Sequence, residues 1–176
     1  STMDCKRKYL SSVFSYLYKH RKIKENPMDL IESVKYRKCV KIPLSDEEIE
    51  LLKINCGSAR DLAIFQFALD TGVRVSELCG INLCDIDFRR YNCKVLGKGN
   101  KERTVSFSGK TMMRINDYLK TRNDVKFDGA YIQFQDNTPL FKSFKGGDRI
   151  HKGGVESMMR KVGNKSGVVR IHPHLL

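Results

Sequence analysis

The ten residues from Asp61 to Asp70 constrain this chain more than any other stretch. Leu62, Ile64, Phe65, Phe67, Ala68 and Leu69 leave them apolar on most faces. A helix with that pattern cannot rest on a surface; other elements have to surround it. Gly72 then breaks the helix. A chain of 176 residues is long enough for such a core. It suits one ordinary domain, or one domain plus a fragment of another, and needs no disulfide staples. Hydrophobic residues at 40% and charged residues at 30% place it among globular chains. No apolar run approaches the ~18 residues of a membrane span, and basic residues interrupt every early apolar stretch, so no signal peptide is read.

The elements around that helix are legible by period. From Cys5 to His20, Leu10, Val13, Phe14 and Leu17 follow i, i+3, i+4, i+7 spacing, which predicts an amphipathic helix. Residues 21–43 turn basic and irregular, with a turn start at Asn26-Pro27 and a second basic stretch from Lys35 to Lys41, and read as a linker. Ser45-Asp46-Glu47-Glu48 is a capping box that opens a helix through Leu52. Val75 to Cys79 predicts a short helix. The period then changes. Asn92 to Leu96 and Arg103 to Phe107 are rich in β formers and flank Gly97-Lys98-Gly99-Asn100-Lys101-Glu102, which predicts a hairpin with a cationic, glycine-rich turn. Helical spacing resumes at Met112, Ile115 and Leu119. Residues 121–150 read mostly as loop. Gly153 to Lys165 is a last helix with Val155, Met158, Met159 and Val162 on its apolar face. The fold class is α+β, mainly α, with one small antiparallel sheet.

Charge points to the partner. Lys and Arg number 33 against 20 Asp and Glu, a net +13. The excess sits at both ends: net +7 in residues 1–44, −4 in 45–90 and +10 in 91–176. A cationic surface of this kind fits a polyanion, and nucleic acid is the commonest. The six cysteines, Cys5, Cys39, Cys56, Cys79, Cys84 and Cys93, form no C-x-x-C pair and no zinc spacing with histidine, and read as reduced, mostly buried thiols. His172 and His174 flank Pro173 with no acidic or cysteine partner close by. No metal and no cofactor is expected.

Three places set functional side chains at structural breaks. Arg74 follows the Gly72 break, where its planar fork suits bidentate contact with a phosphate; Glu77, three residues on, is placed to orient it. On spacing alone a plain surface pair of Arg74 with Glu77 is the preferred reading. Lys98 lies between two glycines, so backbone there can approach a nucleic-acid strand closely; an ordinary solvated turn remains the other reading. The third place is Ile171-His172-Pro173-His174-Leu175-Leu176.

Together, Thr71-Gly72-Val73-Arg74-Val75-Ser76-Glu77-Leu78, the turn from Gly97 to Arg103, and His172-Pro173-His174-Leu175-Leu176 resemble the tyrosine recombinase, or phage integrase, family in order and spacing, with 24 residues from Arg74 to Lys98. The resemblance covers nearly the whole chain. Residues 44–176 resemble a catalytic domain lacking its C-terminal part. Residues 1–43 resemble the last helix of a preceding core-binding domain plus a basic interdomain linker. The resemblance implies a site-specific DNA recombinase, an integrase or transposase of a mobile element, that cuts without metal through a 3′-phosphotyrosyl intermediate. Arg74 would then stabilise the phosphate's developing charge, Lys98 would protonate the 5′ leaving oxygen, and His174 would open the H-x-x-R box. That box's arginine and the nucleophilic tyrosine are expected beyond Leu176, and this chain by itself is expected to be inactive. Lys101, Arg103, Arg21, Lys22 and Lys24 are candidate phosphate contacts. The implied partners are double-stranded DNA and further copies of the protein, a tetramer on two DNA sites, in a prokaryotic cytoplasm, nucleoid-associated when bound to DNA, with no membrane. A non-enzymatic DNA-binding module on the same scaffold is the alternative. An RNA-binding reading lacks the interleaved aromatics or GXXG loop it needs.

Overall fold

In the computed structural model the chain divides into two compact units, Ser1–Ile42 and Pro43–Leu176. Residues 2–31, 42–97, 99–129, 131–144 and 147–171 are described. The first unit holds α1 (Thr2–Lys19) and a single 3-10 turn at Pro27–Leu30. Asn26 caps that turn, its side chain accepting from the Met28 amide, with Pro27 in the first position, where a missing N–H costs nothing. Tyr9, Leu10, Val13 and Tyr16 of α1 are exposed. The basic stretch from Lys35 to Lys41 lies outside the described residues.

The second unit is built around the helix that the sequence marks as central. It runs Ala59–Thr71 and is α3. Ile64, Phe65 and Phe67 are fully buried, and the Phe67 ring meets Phe107 and Phe141 at centroid distances of 5.7 and 6.1 Å. Before it comes α2 (Asp46–Ile54), which starts as expected: the Glu48 amide donates to Ser45 Oγ, and the Ser45 amide donates to Glu48 Oε2 at 2.8 Å. Arg170 also pairs with Glu48, so the segment after the last helix is tied to the start of α2. After α3 come α4 (Val75–Gly80), α5 (Gly109–Leu119) and α6 (Lys152–Ser166). Helix α5 packs along α3 through Met112, Ile115 and Leu119, and α6 adds Val155, Met158, Met159 and Val162 to one continuous core.

The sheet has three antiparallel strands in the order β1-β2-β3: β1 (Ile86–Asp87), β2 (Asn92–Leu96) and β3 (Glu102–Ser106). Cys93 pairs with Val105 and Val95 with Arg103. Alternation therefore turns Cys93, Val95 and Val105 toward the core and Lys94 and Thr104 outward. The mainly α, α+β class read from the sequence is the class observed.

The stretch 121–150 is mostly loop, as read, but it also holds a short hairpin that the sequence did not show: β4 (Lys126–Asp128) pairs with β5 (Tyr131–Gln133), and isolated bridges join Asn82 to Pro139 and Lys142 to Arg149. These strands are three residues long and largely exposed, so they carry no hydrophobic alternation to read. One expectation needs correction: the thiols are not mostly buried. Of the described cysteines, all free, only Cys93 is buried; Cys56 and Cys79 are half-buried, and Cys5 and Cys84 are exposed. Cys5 sits on an open face of α1 and Cys84 in a 3-10 turn ahead of β1, neither of which faces the core. Burial pushes the Cys93 thiol up to about 12, which keeps it protonated and unreactive. No described helix is long and apolar enough to cross a membrane.

Candidate active site

The site grows from the way α3 ends. Asp70, in its last turn, accepts hydrogen bonds from the Ser108 amide, the Ser108 and Thr111 hydroxyls, and the Gln66 amide group. Partial burial opposes ionisation of Asp70, but these donors outweigh it and hold the carboxyl below its ordinary value. One carboxylate thus stitches the end of α3 to the start of α5. Gly72 follows at φ 58°, a left-handed conformation that closes the helix and that a side chain would strain. Val73 is buried and anchors the turn. The next residue, Arg74, leaves this fixed corner as the N-cap of α4.

Arg74 has an exposed side chain, 65% accessible, yet its position is held at two points. Its backbone amide donates to Glu77 Oε2 and its Nη1 donates to Glu77 Oε1, both at 2.9 Å. The Glu77 side chain is only 2% accessible. A second guanidinium reaches it from β3, with Arg103 Nη2 donating to Glu77 Oε2 at 2.7 Å. The surface-pair reading and the phosphate reading of Arg74 therefore do not compete. One nitrogen is spent on the carboxylate, and the guanidinium's other donors make no hydrogen bond among the described residues, on a side chain open to solvent.

Burial pushes the Glu77 carboxyl toward its neutral form. The Arg74 amide and the two guanidiniums outweigh that and hold it below the ordinary carboxylate value. The folded state then binds fewer protons than the unfolded chain between the two values. The stability Glu77 contributes is complete above the ordinary carboxylate value and is lost as pH falls through the depressed one. Glu77→Gln is expected to lower stability at neutral pH and to flatten the acid limb of the stability curve. Thermal melts between about pH 6 and about pH 3 read this; an unchanged limb contradicts it.

The other end of α4 is held by a residue that sequence reasoning missed. Arg149 Nη1 donates to the Cys79 and Ile81 carbonyls at 3.0 and 3.1 Å, and its Nη2 donates to Asn82 Oδ1. The Cys79 carbonyl is among the groups a helix C-terminus leaves unpaired, and the Ile81 carbonyl also accepts from the Leu140 amide. The 70-residue separation from Cys79 gave no local signal.

Of the remaining sequence candidates, Lys98 and His174 lie outside the described residues, as does the rest of 172–176. The base of the Lys98 turn is described. Gly97 N donates to the Lys101 carbonyl at 2.8 Å, and a Cβ built on Gly97 falls 3.4 Å from Glu77 Oε1. The turn therefore leaves the sheet beside the carboxylate that holds Arg74. Lys101 is exposed next to it, and Arg103 is the partner of Glu77. Arg21, Lys22 and Lys24 are exposed in the first unit. Among the described residues no three His, Cys, Asp or Glu side chains gather to hold a metal.

Comparison with known proteins converges on one family. The phage integrase family model matches residues 47–176. The tyrosine recombinase XerC of Thermodesulfovibrio yellowstonii is 35% identical over all of this chain and 60% of its own length. That of Actinobacillus pleuropneumoniae is 34% identical over 93% of this chain and 52% of its own length. The chain thus spans 60% or less of these curated relatives. Among solved structures, XerA recombinase superposes with a TM-score of 0.66 at 28% identity, covering 94% of this chain and 56% of its own. The Tn1549 transposon integrase, solved with a circular intermediate DNA, superposes at 0.74 over 99% of this chain and 63% of its own. At 19% identity that second likeness shows the fold alone. With its family-matched segment taking in the Gly72 corner, Arg74 and the β2–β3 hairpin, the chain belongs to the phage integrase family.

Proposed function

We propose that the chain is part of a site-specific DNA recombinase that cuts and rejoins DNA through a 3′-phosphotyrosyl intermediate. The observation that carries this reading is the Arg74 guanidinium, fixed on one side by a buried carboxylate and open on the other. A phosphodiester under attack gathers charge on its non-bridging oxygens. A guanidinium already fixed in place stabilises that charge without reorganising. Lys98, at the turn that follows Gly97, delivers a proton to the departing 5′ oxygen, because an alkoxide leaves poorly without one. His174 hydrogen-bonds the phosphate or manages the proton of the nucleophile. The covalent bond to tyrosine keeps the energy of the broken phosphodiester for rejoining, so the chemistry needs no metal and no high-energy cofactor.

The attacking tyrosine and the arginine of the H-x-x-R box come from sequence outside these 176 residues, in keeping with the share of its relatives that the chain spans. Residues 44–176 are the larger part of the catalytic domain, and residues 1–43 are the last helix of a core-binding domain plus the basic interdomain linker. The exposed Tyr9, Leu10, Val13 and Tyr16 on α1 support this, since an apolar helix face needs a neighbour to cover it. The partner is double-stranded DNA, held by phosphate contacts that include Lys101 and the linker cations Arg21, Lys22 and Lys24, with the protein acting as a tetramer on two sites in the cytoplasm.

The test is a nicked suicide substrate, from which the short 5′-hydroxyl strand diffuses away after cleavage. The complete protein is expected to accumulate a denaturant-resistant protein–DNA adduct. DNA binding without an adduct contradicts the reading and favours a non-enzymatic DNA-binding module.

A further inference from the structure

We propose that Arg103 is a positioning residue: through Glu77 it locks the base of the β2–β3 hairpin to the helix corner that presents Arg74. The inference rests on the reading of Arg74 as the phosphate-binding arginine, and goes beyond it to what holds the two halves of the site together. Two hydrogen bonds and one close approach carry it. Arg103 Nη2 donates to Glu77 Oε2 across 26 residues of sequence. Glu77 Oε1 accepts from the Arg74 side chain. Gly97, where the turn leaves β2, lies so close that an added Cβ is 3.4 Å from that same Oε1 and 3.3 Å from the Lys101 carbonyl. A single carboxylate, nearly inaccessible to solvent, therefore bonds the arginine corner and strand β3 and lies beside the base of the turn.

Register explains how Arg103 gets there. It pairs with Val95 and shares the inward parity of Cys93 and Val105, so its side chain leaves the sheet toward α4 and not toward solvent on the outer face. Lys101 and Glu102, nearer the turn, are exposed and make no such contact among the described residues.

Charge gives the clamp a second purpose. With Arg74 alone, Glu77 cancels the positive charge that a phosphate is to meet. With Arg103 on the other oxygen, the three groups carry a net +1, and the carboxylate orients Arg74 without neutralising the corner. Among the candidate phosphate contacts Arg103 is thus distinct: it acts on the phosphate through Glu77 and Arg74.

The test uses the complete protein and the variants Arg103→Gln, Arg103→Lys, Glu77→Gln and the double Arg103→Gln/Glu77→Gln. Single-turnover cleavage at saturating DNA is expected to fall about 10- to 100-fold in Arg103→Gln, the cost of a slightly misplaced catalytic group. DNA affinity and its salt dependence are expected to stay at the wild-type values. Arg103→Lys recovers part of the rate, and the double variant is no slower than Glu77→Gln. A salt slope lower by about one, with an unchanged cleavage rate, shows a direct phosphate contact and overturns the proposal. So does additive loss in the double variant. Amide exchange at Gly97 and Lys101, with α3 amides as the control for an intact fold, reads the clamp independently of activity. It is expected to quicken in Arg103→Gln, and unchanged exchange overturns the clamp. A wild-type protein that forms no adduct refutes the recombinase reading while leaving the exchange result to decide this one.

Discussion

Arg74→Ala in the complete protein is expected to slow strand cleavage by about 10²- to 10³-fold or more, the usual cost of one preorganised donor to a developing oxyanion. DNA affinity is expected to change only a few-fold, because many other cations contribute to binding and each phosphate contact is a small share of the total. The fold is expected to survive: the side chain is 65% accessible, and the corner is fixed by Gly72, the buried Val73 and the Asp70 network instead. Arg74→Lys is expected to recover little. A lysine places one point charge where the guanidinium holds Glu77 with one donor and, in the proposed reading, offers the others to a phosphate. Single-turnover adduct formation on the suicide substrate checks both, and normal cleavage by Arg74→Ala refutes the assignment.

Phe67→Ala is expected to cost about 3–5 kcal/mol of stability. Phe67 is wholly buried in α3, between Phe107 at the end of the hairpin and Phe141, which itself stacks on Tyr118 of α5. Its removal leaves a cavity where α3, α5 and the sheet segment meet, and those rings are held by backbone from three elements, so collapse is limited. A domain with a total stability of about 5–15 kcal/mol then loses a large part of it. Urea unfolding reads the shift in midpoint; a loss under about 1 kcal/mol contradicts the central place of this ring.

Much of this architecture was legible because it is local. The capping box at Ser45 and Glu48 involves residues three apart, and it forms as read. The apolar run of α3 could only be interior, and it is. The β2–β3 hairpin announced itself by β formers around a glycine-rich turn. The helices begin and end within about three residues of their sequence readings, the usual uncertainty where ends fray. At the site, the glycine break and the arginine after it were visible, and so was the Glu77 partner three residues on.

What escaped notice is long-range. Asp70 reaches Ser108 and Thr111, Arg149 reaches the end of α4, and Arg103 reaches Glu77. Each joins elements far apart in the sequence, and no periodicity encodes such a pairing. An Arg103 in a basic turn reads as one more solvent cation until β-sheet register shows which way it points. The β4–β5 hairpin escaped for a different reason. It is held by backbone pairing in short exposed strands, and leaves almost no mark on side-chain pattern.

The central claim is that the Arg74 guanidinium meets the negative charge of the scissile phosphate. The most direct measurement places a neutral methyl group in place of one non-bridging oxygen of that phosphate. Single-turnover cleavage of this substrate by wild-type and Arg74→Ala proteins is then compared with cleavage of the ordinary one. The gap between the two proteins is expected to shrink to about 10-fold or less on the neutral substrate, since the charge that Arg74 serves has been removed. A gap as wide on the neutral phosphate as on the charged one contradicts the claim.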